Sequence, residues 1–463
     1  MTTATQPFVA RMQAEHLDAT AIAAFVHAYQ QLVSGETGFI PEASIAPVTA
    51  LPQLAELDTY RTRGQALLAK TVVLRLNGGL GTGMGLDRAK SLVRVRDDDT
   101  FLDIVAKQHR HLIAQTGVAL PLIFMNSFAT DADTRVHLAA YPDVPVRYVL
   151  QSKVPKVRVD TMQPATWPAN PALEWCPPGH GELYRVLWSS GLLDELLDAG
   201  YEYLFSANID NLGATLEPAV VGYLDAAQIP FLMEVTRRTD ADRKGGHLAY
   251  AADGRLLLRE SAQCPAADMA VFQDIEHHQY FNTNNVWLAL RPLRDLLARN
   301  GGFLALPIIV NRKTIDVRDT QSPAVIQLES AMGAAIGQIA GAAALAVPRT
   351  RFMPVKNCQD LLVLRSNRFV LNDAYHLVQA DPRPLPVIHL DQTYYRVVAD
   401  FEARFPTHVP DLQACTSLTI HGDVTVAAPV RCQGNVVLTA VTEAGRITES
   451  TVFGDGNHQI RGE

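Results

Sequence analysis

The sequence predicts an α/β protein with a mostly parallel central sheet, and three observations support this fold class. From residue 71 onward, short apolar runs alternate with amphipathic stretches, which is the pattern of strands and helices that alternate along a chain. A glycine-rich loop directly follows the first apolar run. The chain has 463 residues and 48% hydrophobic content, so it can bury a large core and divide into about two or three domains.

Five apolar runs are predicted to be buried strands, and two amphipathic stretches between them are predicted to be helices. The strands are TVVLRL (71–76), PLIFMNS (121–127), VRYVLQ (146–151), YLFSANID (203–210) and PFLMEVT (230–236), and the helices are TFLDIVAKQHRHLIAQ (100–115) and GELYRVLWSSGLLDELLDA (181–199). In such sheets, ligands bind beyond the carboxyl ends of the strands. We therefore expect the glycine loop, the segment NID and the residues after VRYVLQ to share one crevice.

The two ends of the chain follow other patterns. Residues 1–60 show helix-spaced apolar positions, whereas the chain beyond Asp411 has no helical period. A short pattern there recurs after twelve residues, as Ile420, Gly422, Asp423 and Val424 and again as Cys432, Gly434, Asn435 and Val436. This spacing fits the coils of a β-helix or a small antiparallel sheet, and the pattern alone leaves both open.

Composition excludes several classes of protein. The net charge is -8 with no basic block, which argues against nucleic acid as a partner because phosphate-backbone binding requires clustered Lys and Arg. The first residues lack the basic and then apolar pattern of a signal peptide, so we expect no export. The five cysteines form no CxxC pair. We expect reduced, mostly buried thiols in a cytoplasmic protein. The Ala- and Gly-rich segment 330–347 is short for a membrane span, so we predict a helix packed closely against a neighbour and no membrane contact.

The loop after the first strand has glycine at positions 78, 79, 81, 83 and 85. Glycine loses much backbone entropy when it is ordered, and a loop of bare N–H groups after a strand can bind phosphate. Two common phosphate loops do not match, because the P-loop requires glycine where Ala89 stands and the dinucleotide fingerprint requires glycine where Met84 or Leu86 stands. A nucleotidyltransferase loop remains, with Lys90 as the lysine that follows the glycine turn.

Motifs along nearly the whole chain resemble one family. The loop LNGGLGTGMG, with AKS after it, resembles the UDP-glucose pyrophosphorylases (UTP–glucose-1-phosphate uridylyltransferases) of the eukaryotic type. The resemblance continues in chain order through DTFLDI, MNSFATDADT, CPPGHGELY, SANIDNLGAT, MEVTRRTDADRKGG, FNTNNVWLAL, VIQLESAMGAAI, PRTRFMPVKNCQDLL and LTIHGDVTV. It implies a Rossmann-like, GT-A-like nucleotidyltransferase core and a left-handed C-terminal β-helix. The expected domains are a helical segment at 1–60, a catalytic domain at 61–382 and the β-helix at 383–463.

The resemblance also implies the residues that handle the nucleotide. Lys356 corresponds to the catalytic lysine, and Lys90 corresponds to a lysine that contacts the UTP phosphates. Gln151 and Gly179 correspond to the pair that reads uracil. The loop and its leading residues, which wrap the nucleotide, are Leu76, Asn77, Gly78 and Gly79.

Further correspondences concern the sugar and the metal. His180 corresponds to a residue that contacts the glucose phosphate. Asn208 and Asp210 correspond to residues on the ribose and sugar side of the site and to the carboxylate that binds Mg²⁺. The family's sugar pocket implicates Glu234, Gly246 and Asn284.

The expected reaction joins UTP and glucose 1-phosphate into UDP-glucose and pyrophosphate, reversibly and with Mg²⁺. A sugar phosphate oxygen is already ionised at neutral pH, so the reaction needs positioning and cations more than it needs a general base. Two lysines, one metal carboxylate and the loop N–H groups have the required chemistry.

Substrate range stays open in the sequence. Many relatives carry Lys-Gly-Pro-Lys-Ser at the end of the loop, whereas this chain has Asp-Arg-Ala-Lys-Ser at 87–91, which leaves UTP affinity and the range of nucleotides open. Another sugar 1-phosphate, such as galactose 1-phosphate or an N-acetylhexosamine 1-phosphate, is an alternative substrate. A catalytically silent nucleotide-sugar sensor is a second alternative, although retention of Lys90, Asp210 and Lys356 argues against it.

Some residues have structural interpretations as well. Asp210 could cap a helix, and the amides of FNTNN could form Asx turns. His277 and His278 have no carboxylate or cysteine at ligand spacing in the sequence, so we predict surface residues. Because the end of a β-helix exposes strand edges, we expect homo-oligomers to assemble through the C-terminal domain, as in some relatives.

Overall fold

The computed structural model describes residues 4–35, 38–316 and 319–462, and these residues form a mixed α/β structure. The α-helices are α1 (Gln6–Ala14), α2 (Ala19–Val33), α3 (Arg61–Leu67), α4 (Phe101–Thr116), α5 (Asp131–Leu138), α6 (Leu183–Ser189), α7 (Leu192–Asp198), α8 (Pro218–Ala226), α9 (Met269–Phe272), α10 (Leu290–Arg299), α11 (Cys358–Arg365), α12 (Gln392–Tyr395) and α13 (Val398–Arg404).

The strands of the first 350 residues are β1 (Ile45–Pro47), β2 (Thr71–Asn77), β3 (Arg94–Arg96), β4 (Asp99–Thr100), β5 (Leu122–Asn126), β6 (Val146–Leu150), β7 (Val154–Pro155), β8 (Val157–Arg158), β9 (Trp175–Cys176), β10 (Tyr203–Asn208), β11 (Phe231–Arg237), β12 (His247–Ala251), β13 (Leu256–Arg259), β14 (Tyr280–Ala289), β15 (Ile308–Thr314), β16 (Ala324–Ser330) and β17 (Ala343–Ala346). Those that follow are β18 (Phe369–Leu371), β19 (Leu377–Gln379), β20 (Val387–Leu390), β21 (Asp411–His421), β22 (Val424–Val426), β23 (Val430–Ala440), β24 (Gly445–Ile447), β25 (Thr451–Phe453) and β26 (Gly456–Ile460).

The central sheet has the strand order β1-β12-β14-β10-β2-β5-β6, and β11, β13 and β17 join it beside this path. The four strands β10, β2, β5 and β6 pair in parallel, which confirms the predicted parallel arrangement at the crevice. Strand β14 then pairs antiparallel with both β10 and β11, so the whole sheet is mixed.

The strand order reverses at β2. Strands β5 and β6 continue on one side of it, whereas β10 lies on the other side. Asn77 ends β2 opposite Asn126 of β5, and Leu76 lies opposite Asn208, the last residue of β10. Ligands of open α/β sheets bind at such a switch point, beyond the carboxyl ends of the strands.

Two hydrophobic clusters cover the two faces of this sheet. Val73 and Phe124 belong to the cluster that includes side chains of α4, α8 and α11. Val72 and Leu74 belong to the other, with α6, α7 and α10. Because neighbouring residues of β2 point to opposite faces and both faces are covered, the strand is buried along its whole length, as predicted.

Helix α4 shows how local sequence fixes an element of this layer. The side chains of Thr100 and Asp103 form a capping box, in which Asp103 Oδ2 accepts the backbone N–H of Thr100 at 2.8 Å. The helix ends at Gly117, whose φ of 68° lies in the left-handed region that glycine adopts most readily. The structure therefore confirms the helix predicted from the period of its apolar residues.

The C-terminal strands pair in parallel. Strand β21 pairs with β20 and β23, and β23 pairs with β25 and β26. Ile420 lies opposite Leu438 and not opposite Cys432, its counterpart in the twelve-residue repeat. The parallel ladders exclude the small antiparallel sheet.

These strands also share a core with the central sheet. One hydrophobic cluster runs from Leu57 through the sheet to Ile460, while the N-terminal helices pack in another cluster with β7–β9 and β16. The division at 60/61 and 382/383 stays a prediction. All five cysteines are buried and unpaired, as expected.

The prediction of a helix at 330–347 was wrong. A 3₁₀-helix occupies only Met332–Gly337, and Ala343–Ala346 forms β17, which pairs in parallel with β11. A Cβ at Gly333 would lie 2.8 Å from Leu258 Cδ2, so the small residues permit close packing without a helix. No helix among the described residues has the length and apolar character to cross a membrane.

Candidate active site at the carboxyl edge of the sheet

The glycine loop begins in a network of polar side chains. Asn77 Nδ2 donates hydrogen bonds to Asn126 Oδ1 at 2.9 Å and to Thr134 Oγ1 at 2.8 Å. Thr130 Oγ1 donates to the carbonyl of Asn77, and Ser127 Oγ donates to the carbonyl of Gly78. These hydrogen bonds fix the start of the loop through the side chain of Asn77 and the carbonyls of Asn77 and Gly78.

The rest of the loop combines two kinds of glycine. Gly81 and Gly85 have φ of 66° and 71°, so their backbone requires glycine. A Cβ at Gly79 or Gly83 would meet nothing within 4 Å, so these positions face open space. A Cβ at Gly85 would also collide with the side chain of Val397, which places the loop directly against the segment that leads into α13.

Lys90 and Asp210 meet across the switch point of the sheet. The ammonium of Lys90, in the loop after β2, lies 2.5 Å from Asp210 Oδ2, which follows β10. Their side chains are only 17% and 13% exposed. The structure therefore joins two predicted site residues that lie 120 positions apart in the sequence.

The predicted uracil-reading pair is also in contact. Gln151 Nε2 donates to the carbonyl of Gly179 at 2.9 Å, and a Cβ at Gly78 would lie 2.6 Å from Gln151 Oε1. Gly179 has a φ of 84° and packs on the backbone of Ser330, so no other residue fits there without strain. Gly78, Gln151 and Gly179 thus form one wall of the crevice.

His180, the residue after Gly179, has its ring tautomer fixed by a hydrogen bond. Its Nδ1 accepts the backbone N–H of Met332 at 2.9 Å, so the proton of the neutral ring is on Nε2. Burial lowers the pKa of His180 to about 4. The ring is therefore neutral at physiological pH and offers one N–H donor.

Lys356 lies at the start of α11 with an exposed side chain. Its Nζ lies 5.3 Å from the centroid of the Phe281 ring, and its backbone N–H donates to Asp360 Oδ2 at 2.7 Å. Burial raises the pKa of Asp360, whereas these backbone bonds and the charges of Lys356 and Lys90 oppose that shift. Both predicted lysines therefore act electrostatically on one carboxylate.

Gly246 packs against a carboxylate whose pKa the charge of Lys356 also affects. A Cβ at Gly246 would lie 2.6 Å from the carboxylate of Glu260, and burial raises the pKa of Glu260 against the opposing charge of Lys356. The carbonyl of Gly246 accepts the N–H of Asn282, whose Oδ1 accepts the N–H of Asn284 at 2.9 Å. Asn284 has a φ of 58° within a bulge of β14, so the FNTNN amides do make an Asx-type turn.

Glu234 lies deeper than the other predicted residues. Its side chain is fully buried and accepts hydrogen bonds from Arg351, Asn285 and Trp287. The Arg351 guanidinium contacts both carboxylate oxygens, at 2.6 and 2.9 Å. The sugar-binding role of Glu234 stays a prediction. In the structure, its hydrogen bonds to Asn285 and Trp287 tie β11 to β14.

Sequence reasoning assigned no role to the residues that hold the loop. Asn126, Ser127, Thr130 and Thr134 all belong to the motif MNSFATDADT, which supported the resemblance only as a whole. Asp133 of the same motif accepts the backbone N–H of Ala89 at 3.2 Å. The run of small polar residues after a predicted strand was the feature of the sequence that could have indicated this role.

The prediction that both adjacent histidines lie on the surface was wrong for His278. Its side chain is fully buried and its Nε2 lies 3.0 Å from Glu42 Oε1, while His277 is 42% exposed. Glu42 and these histidines form the group of possible metal ligands found in the described part of the chain. Arg259 Nη1 already pairs with Glu42 at 2.6 Å, and the buried Nδ1 of His278 has no partner for the proton that metal binding at Nε2 would place there.

Comparison with known proteins identifies the family. A family model described as UTP–glucose-1-phosphate uridylyltransferase matches residues 22–433. The chain belongs to the UTP–glucose-1-phosphate uridylyltransferase family. The uridylyltransferase of Saccharomyces cerevisiae is 40% identical over 389 residues, which cover 83% of this chain and 76% of that protein. The probable uridylyltransferase of Schizosaccharomyces pombe is 38% identical over 405 residues, which cover 85% and 78%.

Solved structures of the uridylyltransferase family agree with this assignment over the whole fold. A mutant UDP-glucose pyrophosphorylase of Leishmania major, solved in complex with UDP-glucose, has a TM-score of 0.92 and 42% identity and covers 99% of each chain. A structure described as UDP-glucose phosphorylase of Trypanosoma brucei has a TM-score of 0.89 and 43% identity, and the match covers 100% of each chain.

Proposed function

We propose that the chain transfers the uridylyl group of UTP to α-D-glucose 1-phosphate and gives UDP-glucose and pyrophosphate in a reversible reaction. The contact between Lys90 and Asp210 carries this proposal, because it places a cation and a carboxylate together at the switch point where nucleotides bind. The names of the relatives support the pair of substrates, and the Leishmania major structure with UDP-glucose supports the product.

The chemistry requires relief of charge. A phosphate oxygen of glucose 1-phosphate attacks the α-phosphorus of UTP and forms a new P–O bond. The bond from the α-phosphorus to the oxygen that bridges to the β-phosphorus breaks, and pyrophosphate leaves with that electron pair. The attacking oxygen is already ionised, so no residue has to remove a proton. Lys90 and Lys356 supply mobile positive charge for the approaching and leaving anions.

The remaining groups position the two substrates. We assign the nucleotide to Leu76, Asn77, Gly78 and Gly79 of the loop, with uracil on Gln151 and Gly179. His180 presents its Nε2–H to the sugar phosphate, and Asn208 lies on the ribose and sugar side. Glu234, Gly246 and Asn284 are assigned to the sugar pocket. These contacts contribute mainly by orientation, which can account for a large part of the barrier reduction in such transfers.

We further propose that Asp210 binds Mg²⁺. The residues fit this ion, because Asp210 offers a partly buried hard oxygen donor at the edge of the crevice and its partner, Lys90, is a mobile cation that can move to a phosphate. Mg²⁺ commonly takes one or two carboxylates and fills its other positions with waters and phosphate oxygens. When bound, the ion would reduce the negative charge on the phosphates.

Substitution of Asp210→Asn tests the metal assignment. The change keeps the shape and removes the charge, so Mg²⁺ affinity should fall and activity should partly recover at high Mg²⁺. Asp143→Asn is the matched control, since Asp143 is an exposed carboxylate that pairs with Arg110. An Mg²⁺ titration of activity in Asp210→Asn that overlays the wild-type curve would rule Asp210 out as a ligand.

A coupled pyrophosphate-release assay tests the reaction. UTP with glucose 1-phosphate should give the highest kcat/KM in a panel that also contains galactose 1-phosphate, N-acetylglucosamine 1-phosphate and the other nucleoside triphosphates. A higher value for another sugar would replace glucose as the substrate. Binding of UDP-glucose without any pyrophosphate release would make the protein a sensor.

We also propose that β20–β26 form a left-handed β-helix whose free edges join copies of the chain in the cytoplasm. Parallel pairing over these strands supports the β-helix, and Val452 on an edge strand is 59% exposed. Light scattering should give a particle mass above that of the single chain, and Val452→Lys should lower it. A wild-type mass equal to one chain would contradict assembly, and a crystal structure would give the handedness.

A further inference from the structure

A cavity of about 110 Å³ lies between β2 and α4, away from the crevice. No residue assigned to the substrates lines it. Its polar lining includes Arg75, Gln108, His109, His111 and His376, and none of the described residues that line it is Asp or Glu. The volume is several times that needed to hold a water molecule, so the cavity can hold a small polyatomic ion.

Arg75 is the decisive group in this lining. The side chain is buried in the middle of β2, and its Nη2 donates to the carbonyl of Ala214 at 2.7 Å. The N–H groups of Nε and Nη1 are also buried and have no partner in the described part of the chain. Burial and the nearby charge of Arg351 lower the pKa of Arg75 to about 10, so the guanidinium stays charged at neutral pH.

In the described part of the chain, Arg75 forms no ion pair with a carboxylate. Arg351 nearby is neutralised by Glu234, whose Oε1 lies 2.6 Å from Arg351 Nη2. An unpaired buried charge is strongly destabilising, whereas a bound anion restores both the charge balance and the missing hydrogen bonds.

Gln108 narrows the choice of anion. Its Nε2 donates to the carbonyls of Leu212 at 3.3 Å and Tyr375 at 3.0 Å, and two carbonyl partners fix the orientation of the amide. The buried Oε1 of Gln108, which is a residue of the cavity lining, is left as an acceptor without a partner among the described residues. The fitting ligand is an anion that accepts from a guanidinium and also donates one O–H.

We propose that this cavity is a binding site for hydrogenphosphate. Arg75 Nε and Nη1 donate to its oxygens, and its O–H donates to Gln108 Oε1. The half-buried His111 and His376 add two imidazoles to the lining, and the exposed Gln115, which also lines the cavity, gives an entry from solvent. Sulfate has the same shape but no O–H at neutral pH, so it leaves Gln108 unsatisfied.

Thermal unfolding of the full chain with inorganic phosphate tests the site. Phosphate should raise Tm with saturation, and sulfate should need an about 10-fold higher concentration for half of the effect, because it lacks one hydrogen bond. Arg75→Met removes the charge at similar length and should abolish the phosphate response. Lys90→Ala, which removes a cation from the crevice, should keep it.

Either of two results of the unfolding experiment would overturn the proposal. One is a phosphate response that survives in Arg75→Met and disappears in Lys90→Ala, because the ion would then bind in the crevice. The other is an equal affinity for sulfate. Should Arg75→Met fail to fold, wild-type crystals soaked in arsenate, which shares the protonation of phosphate, give the answer. An arsenic anomalous peak within hydrogen-bond distance of Arg75 is expected, and a cavity filled by water alone contradicts the site.

Discussion

The crevice and the C-terminal strands stabilise their structures by opposite means. At the crevice, polar side chains such as Asn77, Ser127 and Thr130 hold a loop that is otherwise open. In the C-terminal strands, apolar side chains stack in register, and Ile420 and Leu438 are almost completely excluded from solvent.

This difference suggests that the polar network mainly positions the loop, whereas the apolar C-terminal core mainly stabilises the fold. Hydrogen bonds are directional and each contributes about 1 kcal/mol to folding, so the polar network fixes positions while it leaves loop N–H groups available to a ligand. Apolar burial has no direction and contributes about 1.5–3 kcal/mol for each large side chain. Substitutions at the crevice should therefore change kinetics first, and substitutions in the C-terminal strands should change unfolding first.

The largest effect is expected at Lys356. Lys356→Ala removes a charge that matters most in the transition state, so kcat should fall about 10²–10³-fold, far more than either KM rises. Lys70→Ala is the matched control, because Lys70 is a surface lysine just before β2, at the other end of the sheet. Steady-state kinetics measure both, and activity of Lys356→Ala within threefold of wild type would refute the assignment.

A core substitution in the C-terminal strands should have the converse result. Leu438→Ala leaves a cavity in a fully buried position and should lower the free energy of unfolding by about 2–5 kcal/mol. We expect an unchanged kcat below the unfolding transition, measured beside a urea titration. A large loss of kcat in the folded variant would show that the two regions are not separable.

Two glycines of the loop sharpen the comparison within the crevice itself. Gly78→Ala places a methyl group 2.6 Å from Gln151 Oε1, whereas Gly83→Ala meets nothing within 4 Å. The first change should displace Gln151 and raise the KM for UTP about 10-fold, the equivalent of one hydrogen bond. The second change should leave the KM for UTP unchanged. Equal KM values for the two variants would show that Gln151 does not contact the nucleotide.

The smallest effect is expected in the polar network. Thr134→Val keeps the size and removes the acceptor for Asn77 Nδ2, so the KM for UTP should rise about 5-fold. Thr116→Val is the control, since both threonines donate to the carbonyl four residues earlier but only Thr134 contacts Asn77. Isothermal titration with UTP would show whether the loss is one of affinity.

The sequence predicted which segments meet beyond the carboxyl ends of the parallel strands. Apolar runs located β2 and β10, and the glycine and NID segments after them contain Lys90 and Asp210, which the structure joins. This succeeded because the carboxyl ends of parallel strands share one edge, so that position in the chain determines position in space.

Other features depend on contacts that no local pattern records. His278 pairs with Glu42 across 236 positions, so a search for ligands at short spacing could not find its carboxylate. The alanine-rich segment that ends in Ala346 favours a helix by composition, but backbone pairing with β11 forms a strand instead. In both cases tertiary contacts outweigh the local preference.

The contact between Gly85 and Val397 has a consequence for chimeric proteins. The loop can approach the segment before α13 only because Gly85 has no side chain. A C-terminal region grafted from another protein with valine at 397 would need glycine at 85, because a Cβ there would collide with the side chain of Val397. When C-terminal regions are exchanged between relatives, residues 85 and 397 should therefore be taken from the same parent. Chimeras that separate this pair are expected to lose the loop conformation.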